Sequence, residues 1–523
     1  MTIISFHISG LFYQGFIKTI PYRLHFRNAF CVNFRTKTRT EIRAEGGRIL
    51  RHVRLVNSYI MKILRSVFDK NFIKITMMIA FPIMVQTGIT NFVNMLDNIM
   101  VGRIGTDPMT GVSIVNSLLF VWNLCVFGGL SGIGIFTAQY CGKDDQEGVR
   151  HTFRLQILMS LLLTAAGIYI FMSHGQSLIG LYLHEDGGGG SVEATMQAAL
   201  SYLTVMCFGF LPFAVTQAYN TTIRSHGETV APMIATLIAV AVNLAGNYIL
   251  IYGKLGAPAL GVVGAAAATV TSRFVELAFI AVWAHTHAAR IPFITGAYRS
   301  LYVPRVLTLN CIRKGTPLLL NEALWSGGQA ILTQCYSVRG LSVVSALNIA
   351  QTLGNVFNVA FIAMGSATAI IIGRKLGEWG ESRTKELKNE AWRLMLFSCF
   401  LCMLSSTLMI SVSFVFPKIY NTTNEIRALA TGLIILMAAY MPIHSFNNAS
   451  YFIIRSGGKT FITFLFDSCF CWAVSIPAAY FLAHYTRVPI LPMYAAVISC
   501  ELVKVIIGIT LVNKGIWIKN ITV

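Results

Sequence analysis

Charged residues are scarce in this chain, and acidic residues are the scarcest of them. Of its 523 residues, 12% are charged and 55% are hydrophobic, and the 41 Lys and Arg outnumber the 21 Asp and Glu. A soluble protein of ordinary composition has about 25% charged residues. The shortage therefore excludes an ordinary soluble domain and indicates a membrane protein that has the lipid bilayer as a partner.

Residue spacings that bind metals, cofactors or nucleotides are missing as well. The eleven cysteines stand singly or in close pairs inside apolar segments, without metal-ligand or haem-attachment spacing. The glycine run at 187–190 lacks the Gly-Lys-Ser/Thr that completes a phosphate-binding loop. No histidine or cysteine stands in the spacing of a nucleophile with its base. We predict no cofactor and no enzymatic activity; a membrane-embedded enzyme is a minor alternative, and a passive channel would need a filter-like loop that is not visible.

The chain does contain twelve apolar segments that are long enough to cross a bilayer. Roughly 20 mainly apolar residues span the hydrocarbon core as a helix. We therefore predict an all-α membrane protein with twelve transmembrane helices. The segments lie at about 74–101, 109–139, 154–174, 196–221, 231–252, 260–284, 315–337, 342–372, 393–415, 428–453, 461–482 and 490–512.

Basic residues are unevenly divided between the two sides of these segments. Leaving out residues 1–60, 23 Lys and Arg lie on the side that holds residues 61–75 and the C-terminus, and 6 lie on the other side. Basic loops are retained in the cytoplasm, so both termini are predicted to be cytoplasmic, in a plasma membrane. The net charge of +20 then reflects topology, and no nucleic-acid partner is predicted.

The two halves of the chain repeat one another. Positions 82–142 align with 317–377 without a gap, and positions 223–229 align with 454–460 in a slightly different register. Six segments per half place both halves in the membrane in the same sense. Duplicated halves that rock about a site between them are typical of secondary transporters.

The repeat and the composition divide the chain into five parts. The stretch 1–60 carries ten Lys and Arg against two acids, which is typical of a targeting leader. The alternative is that translation starts at Met61. The predicted parts are a basic extension at 1–70, an N-lobe with helices 1–6 at 71–288, a cytoplasmic linker at 289–309, a C-lobe with helices 7–12 at 310–515 and a tail at 516–523.

Polar side chains inside the apolar segments mark candidate chemistry, because they cannot reach water and usually face the bundle interior. Asp97 lies about 8 Å from the outer end of the first helix, and Asn247 lies at a similar depth on the fifth. Asn243 and Thr269 lie about 14 Å deep on the fifth and sixth helices. A desolvated carboxyl can exchange a proton, and oxygen ligands suit a hard cation such as sodium. These four residues are the predicted cation-coupling and sodium site; the alternative is a structural hydrogen-bond network.

The first helix carries further polar residues along the face of Asp97. Asn91 and Asn94 precede Asp97 at intervals of three, which places all three on one side of a helix. Gln86 extends this polar stripe towards Pro82. A proline inside a helix removes a hydrogen bond, so we predict a hinge in the helix that bears Asp97.

In the second half, Glu322 is an acid without a basic partner on its own helix. We group it with Asn447 and Asn448 of the tenth segment as a second coupling or substrate site. Two other pairs of intramembrane residues each combine an acid and a base three positions apart on one helix, and the two charges of each pair are predicted to neutralise each other. They are Arg273 with Glu276, and Glu501 with Lys504.

Several motifs resemble those of the multidrug and toxic compound extrusion (MATE) transporters. The first is the stretch from Phe81-Pro82 to Asp97-Asn-Ile-Met-Val-Gly102. Others are Ala138-Gln-Tyr-Cys-Gly142, Arg224-Ser-His-Gly-Glu-Thr229, residues 243–253 and residues 261–269. The resemblance covers nearly everything after residue 70. It implies two six-helix lobes that form a V around a central cavity and export organic, often cationic small molecules in exchange for protons or sodium.

By position, Asp97 matches the first-helix acid of that family, and Asn243, Asn247 and Thr269 match its partners. Many members carry an acid where this chain has Asn247, so Asp97 is the only carboxylate of the group. Glu322 is a loose counterpart of an acid that some branches place on helix seven. We predict a monomeric antiporter; the alternative is a flippase for lipid-linked oligosaccharides, which the few basic residues in the segments disfavour. Neither the substrate nor the coupling ion follows from the sequence.

Overall fold

A computed structural model describes residues 66–183 and 191–522 of the chain. The two predictions on Met61 and on the glycine run at 187–190 lie outside these residues. Helices make up the described chain, and no strand occurs in it, so the all-α prediction is confirmed.

We number the helices α1 to α12 and divide two of them into halves a and b. Ten are long and apolar enough to cross a membrane, and α4 adds an eleventh if its halves, bent by 48°, form one span. The helices are α1 (Lys70–Gly102), α2 (Thr106–Gly142), α3 (Gln146–Gly180), α4a (Val192–Cys207), α4b (Phe210–Ser225), α5 (Val230–Tyr252), α6 (Gly261–Thr286), α7 (Arg305–Ser337), α8a (Leu341–Phe357), α8b (Val359–Trp379), α9 (Thr384–Ser413), α10 (Asn424–Ser456), α11 (Thr460–Tyr485) and α12 (Ile490–Lys514).

Helix α7 starts earlier than predicted and shortens the linker. It begins at Arg305, after Pro304, whereas the linker was predicted to reach residue 309. The residue before a helix tolerates proline, because its fixed backbone and missing N–H do not disturb the helical hydrogen bonds. The linker is also packed: Phe293 is fully buried, and Arg154 of α3 donates to the carbonyl oxygen of Ala297 at 2.7 Å. This connection is therefore packed against the N-lobe.

The buried side chains form separate apolar cores in the two halves, and α1 takes part in both. Residues of α2 to α6 form most of two clusters in the N-lobe; α1 adds Val101 near its end to one, and the linker and the start of α7, with Leu307 and Cys311, join the other. Residues of α7 to α12 form the C-lobe cluster. The first half of α1, from Phe72 to Ile83, instead packs on α8b, α9, α10 and α12. Helix α1 therefore joins the lobes.

The lobes approach most closely where α2 crosses α7 and α8b, and glycines allow that approach. A Cβ on Gly132 would lie 2.3 Å from the Cα of Gly315. A Cβ on Gly142 would lie 1.9 Å from the carbonyl oxygen of Arg374. Side chains larger than hydrogen would separate the two backbones. We call the side of the molecule that holds the ends of α2 and α8b the tail face, and the opposite side the far face.

Residues after α12 close over the tail face and contact both lobes. Trp517 is fully buried in the C-lobe core. Gln139 of α2 is also fully buried, and its Nε2 donates to the carbonyl oxygens of Ser456 and Lys519 at 2.9 and 3.2 Å. Its Oε1 accepts from the backbone N–H of Ile521 at 2.8 Å. One side chain of the N-lobe thus binds α10 and the tail of the C-lobe.

A histidine in the short connection between α4b and α5 adds to the tail-face contact. The ring of His226 lies 5.4 Å from that of Phe293. The next residue, Gly227, has a left-handed φ of 94° and lies under the Arg374 guanidinium of α8b. Burial, together with the charge of Arg374, lowers the pKa of His226 to about 4. The ring is therefore neutral near neutral pH.

Candidate functional site

Four polar side chains of the N-lobe form one chain of hydrogen bonds between α1, α5 and α6. The Nδ2 of Asn247 donates to Oδ1 of Asp97 at 2.6 Å and lies 3.3 Å from Oδ1 of Asn243. The Nδ2 of Asn243 donates to Oγ1 of Thr269 at 3.1 Å. The structure therefore brings together all four residues of the predicted cation-coupling site.

Small residues hold α5 and α6 close enough for this chain to form. A Cβ on Gly264 of α6 would lie 2.5 Å from the carbonyl oxygen of Leu250. A Cβ on Gly246 of α5 would lie 2.9 Å from the Cβ of Ala268. Close packing at small residues is the usual way for membrane helices to associate. It fixes Asn243 and Thr269 at hydrogen-bond distance across the crossing.

The site offers one buried oxygen atom that is free to bind a cation or to accept a hydrogen bond. Asn247 is 1% exposed, and its Oδ1 has no hydrogen-bond partner. A buried polar atom without a partner costs about 1 to 3 kcal/mol. Asp97 itself is only partly buried. One carboxylate with amide and hydroxyl oxygens around it fits a sodium ion, and the same groups fit a protonated carboxyl.

The polar stripe on α1 is divided among different contacts. Gln86 binds Thr236 of α5 at 2.6 Å and accepts from Arg224 of α4b. Asn91 donates to the carbonyl oxygen of Asn355 in α8a at 3.2 Å, which links the lobes. Asn94 is exposed, and α1 continues through the buried Pro82 without a break. A hinge at Pro82 stays a prediction.

Arg273 and Glu276 make their direct contacts with other helices, although their charges still interact as predicted. Arg273 donates to the carbonyl oxygen of Gly209, at the break between α4a and α4b, at 3.3 Å. Its guanidinium lies 5.0 Å from the centre of the Phe213 ring. Glu276 accepts from the hydroxyl of Thr236 at 2.7 Å. Groups on neighbouring helices thus prevail over the weak attraction between side chains three apart on one helix.

The three residues grouped as a second site lie in different surroundings. Within the described chain, Glu322 makes no side-chain hydrogen bond or ion pair with Asn447 or Asn448. A Cβ on Gly128 of α2 would lie 3.3 Å from the Cγ of Glu322, so this acid lies at the lobe contact. Asn447 donates to Oε2 of Glu501 at 2.9 Å, while Asn448 faces Gly365 and its Oδ1 has no partner.

The C-lobe also contains an acid that the sequence prediction missed. Lys504 does lie 3.3 Å from Glu501, as predicted, but its Nζ is nearer to Oδ1 of Asp467 in α11, at 3.0 Å. The other carboxylate oxygen of Asp467 accepts from Nδ2 of Asn321 at 3.1 Å. The signal was present, because Asp467 is a carboxylate inside an apolar segment. When 454–460 is aligned with 223–229 and the register is continued, Asp467 falls on Thr236.

Comparison with known proteins agrees with this fold. Residues 82–249 and 317–481 match the MatE family. A relative named "Probable multidrug resistance protein NorM" from Mannheimia succiniciproducens is 24% identical over 416 residues, covering 78% of this chain and 86% of the relative. Another with that name, from Thermotoga maritima, is 23% identical over 459 residues, covering 84% and 92%.

Solved structures show the same fold. One titled "Outward-facing conformation of a multidrug resistance MATE family transporter of the MOP superfamily" superposes with a TM-score of 0.73 at 19% identity, covering 86% of this chain and 96% of that one. The twelve-helix, two-lobe architecture is thereby confirmed. The two matched segments fall one in each lobe and together cover more than half of the sequence. This multi-pass integral membrane protein therefore belongs to the MATE family of efflux transporters and is not an enzyme.

Proposed function

We propose that the chain is a secondary antiporter that exports organic, cationic small molecules in exchange for protons or sodium, with Asp97 as the coupling residue. The observation that carries the proposal is the hydrogen-bond chain from Asp97 through Asn247 and Asn243 to Thr269. Its only carboxylate is partly exposed, and a buried amide oxygen beside it has no partner. A bound ion would satisfy that oxygen.

The distribution of lobe contacts supports alternating access as the mechanism. The close glycine crossings and the tail contacts lie on the tail face, while Asp97 lies towards the far end of α1. A transporter that exports must open these contacts to load substrate and close them to release it. Coupling requires the ion and the substrate to bind the two states with different affinity. We take the tail face to be cytoplasmic, in a plasma membrane, because the basic residues lie there, and the working unit to be a monomer.

Transport by purified protein in lipid vesicles tests this proposal. Efflux of a fluorescent organic cation would be followed under an imposed proton gradient and, separately, under an imposed sodium gradient. We expect one gradient to drive efflux by the wild type and neither to drive it in Asp97→Asn. Glu193→Gln, which alters an exposed acid on the far face, is the control and should behave as the wild type.

Each outcome bears on a different part of the proposal. If neither gradient drives efflux by the wild type, antiport of organic cations is wrong. If Asp97→Asn transports as well as the wild type, antiport stands and the coupling site lies elsewhere. The response to the two gradients identifies the ion.

A further inference from the structure

A cavity lies on the C-lobe at the far face, where α9 leads into α10. We call it the far-face cavity. Its volume is about 390 Å³, within the range of about 300 to 1,000 Å³ that is usual for ligand sites. Among the residues that line it are Phe414, Pro417, Lys418, Asn424, Arg427 and Thr431.

The far-face cavity lies on the outer side of α10. Ala430 and Leu433 are fully buried in the C-lobe core. Asn424 and Ala428 line the cavity and are exposed, and their spacing of four places them together on the opposite face of the helix. The cavity therefore faces the surroundings of the helix bundle, at the level where α9 and α10 leave the membrane.

Two basic side chains line this cavity, and no acid lines it with them. The guanidinium of Arg427 donates to Oδ1 of Asn424 at 3.2 Å and to the carbonyl oxygen of Tyr420 at 3.1 Å. Within the described residues, neither Lys418 nor Arg427 belongs to an ion pair. Glu425 is exposed and does not line the cavity. The two positive charges are therefore available to an anion.

The hydrogen bonds of Arg427 hold its guanidinium in place and leave one donor unused. Its two terminal nitrogens bind protein oxygens, whereas its buried Nε has no partner. A buried donor without a partner costs about 1 to 3 kcal/mol. Phosphate oxygens are strong acceptors for a guanidinium, and lysine binds phosphate as a point charge. A phosphate group fits the charge of both side chains.

Beside the cavity, α9 exposes apolar side chains over the depth of one leaflet. Leu404, Leu408 and Phe414 are each more than half exposed. The rise from position 404 to position 414 is about 15 Å, which is half of the roughly 30 Å hydrocarbon core. Phe414 also lines the cavity, so this apolar stripe ends at the two bases. Such an arrangement suits a ligand with a charged head and an acyl chain.

The basic residues of the far face are too few for this arrangement to follow from topology. Six Lys and Arg belong to the far face and 23 to the tail face, as expected when basic loops are retained on one side. Two of the six nevertheless line one cavity. The corresponding stretch of the N-lobe, residues 181–199, contains no Lys or Arg. The repeat therefore does not require these two charges.

We propose that the far-face cavity binds the headgroup phosphate of an anionic phospholipid from the adjacent leaflet. Lys418 and Arg427 bind the phosphate, and the apolar stripe of α9 packs along an acyl chain. The site lies in the C-lobe, apart from the hydrogen-bond chain of Asp97. Lipid binding there is independent of the proposed antiport and can be measured without transport.

Photocrosslinking of the purified protein in vesicles tests the proposal. The probe is phosphatidylglycerol with a diazirine on its acyl chain, and mass spectrometry of peptides locates the label. We expect label within 404–431. Lys418→Gln and Arg427→Gln should each lower it about five-fold, the effect of one base near a lipid surface. Lys254→Gln and Arg487→Gln change exposed bases of the far face outside the cavity and should leave the label unchanged.

The label on tail-face peptides is the internal reference for folding and for the amount of probe. Lys418→Gln is the decisive variant, because Lys418 is exposed and its ammonium belongs to no ion pair of the described residues. Undiminished label in that variant, with the reference intact, would overturn the proposal. Equal label from the matching phosphatidylcholine probe would also contradict it, because that headgroup carries no net charge.

Two further measurements distinguish a lipid from a soluble anion. Phe414→Ser shortens the apolar stripe and should lower the label within 404–431 without affecting the reference. Inorganic phosphate at millimolar concentration should not displace the probe, because it gains nothing from the stripe. Displacement by phosphate, or full label in Phe414→Ser, would assign the cavity to a soluble anion and show that binding of a phospholipid is wrong.

Discussion

The two lobes are copies of one another in fold and differ in where their ionisable groups lie. Towards the far face, the N-lobe has Asp97, Asn243 and Asn247, while the C-lobe has Leu332, Val474 and Ala478 at the equivalent positions. On the tail-face side, the C-lobe has two acids, Asp467 and Glu501, beside Lys504, whereas the N-lobe has Glu276 near two arginines. Duplication therefore supplies a shared frame of helices, and substitutions that break its symmetry place the proposed coupling site in one lobe.

The largest expected effect is the loss of gradient-driven efflux in Asp97→Asn. We expect the rate to fall by about 100-fold, which corresponds to about 2.7 kcal/mol of coupling. A double variant, Asp97→Asn with Leu332→Asp, extends this test. It moves the acid to the equivalent position in the C-lobe. Val474 and Ala478 offer no amide there, so the double variant should stay inactive in the vesicle assay. Recovery of efflux would mean that an acid at this depth in the membrane is sufficient for coupling, without amides beside it.

A smaller effect, on stability, distinguishes the charged group around Glu276 in the N-lobe from the group around Lys504 in the C-lobe. Glu276 is the one acid near Arg224 and Arg273, so Glu276→Gln leaves buried positive charge unpaired and should lower the free energy of unfolding by roughly 3 kcal/mol. Glu501→Gln leaves Asp467 to pair with the buried Lys504, so no buried charge loses its last partner, and the free energy of unfolding should fall by less. Unfolding in a denaturing detergent measures both. Equal losses would contradict the difference in charge between the networks.

The pH dependence of stability tests the tail-face contact at His226. The pKa of this ring is about 4 in the folded protein and about 6.5 in an unfolded chain. Protonation therefore favours the unfolded state, and stability is lost as the pH falls from about 6.5 to about 4, by up to about 3 kcal/mol. We expect His226→Gln to remove this part of the loss. An identical pH profile for the variant would show that the ring is not buried as described.

The smallest expected effect concerns the link between the lobes at Asn91. Asn91→Ala loses one hydrogen bond to α8a, and such bonds between membrane helices are worth about 0.6 kcal/mol. Thr90→Ala, which loses only a bond within α1, is the matched control. We expect a slightly lower unfolding midpoint for the first variant and a smaller change for the second. The reverse order would indicate that Asn91 does not join the lobes.

Spacing and depth along the helices were enough to predict that Asp97, Asn243, Asn247 and Thr269 lie together. The four residues lie on three segments, and close packing at Gly246 and Gly264, which the sequence analysis did not predict, brings two of those segments together. The break at Gly209 was not predicted, because the flanking residues are apolar throughout. The contacts of Arg273 were not predicted either, since they depend on that break. Asp467 was missed because no neighbour on its own helix completes the group; its partners come from α7 and α12.

The packing of α1 has a mechanical consequence. Its first half is built into the C-lobe core up to Ile83, and its last turn is held by the N-lobe at Val101. The proposed alternating access requires the lobes to move apart on the tail face; since neither end of α1 could then slide freely, the strain would fall on the segment between them. That segment carries Gly88 and follows Pro82, which leaves one backbone hydrogen bond unmade. Asp97 lies near the end of this helix, so a change of its charge and a change of the helix curvature would act on the same element.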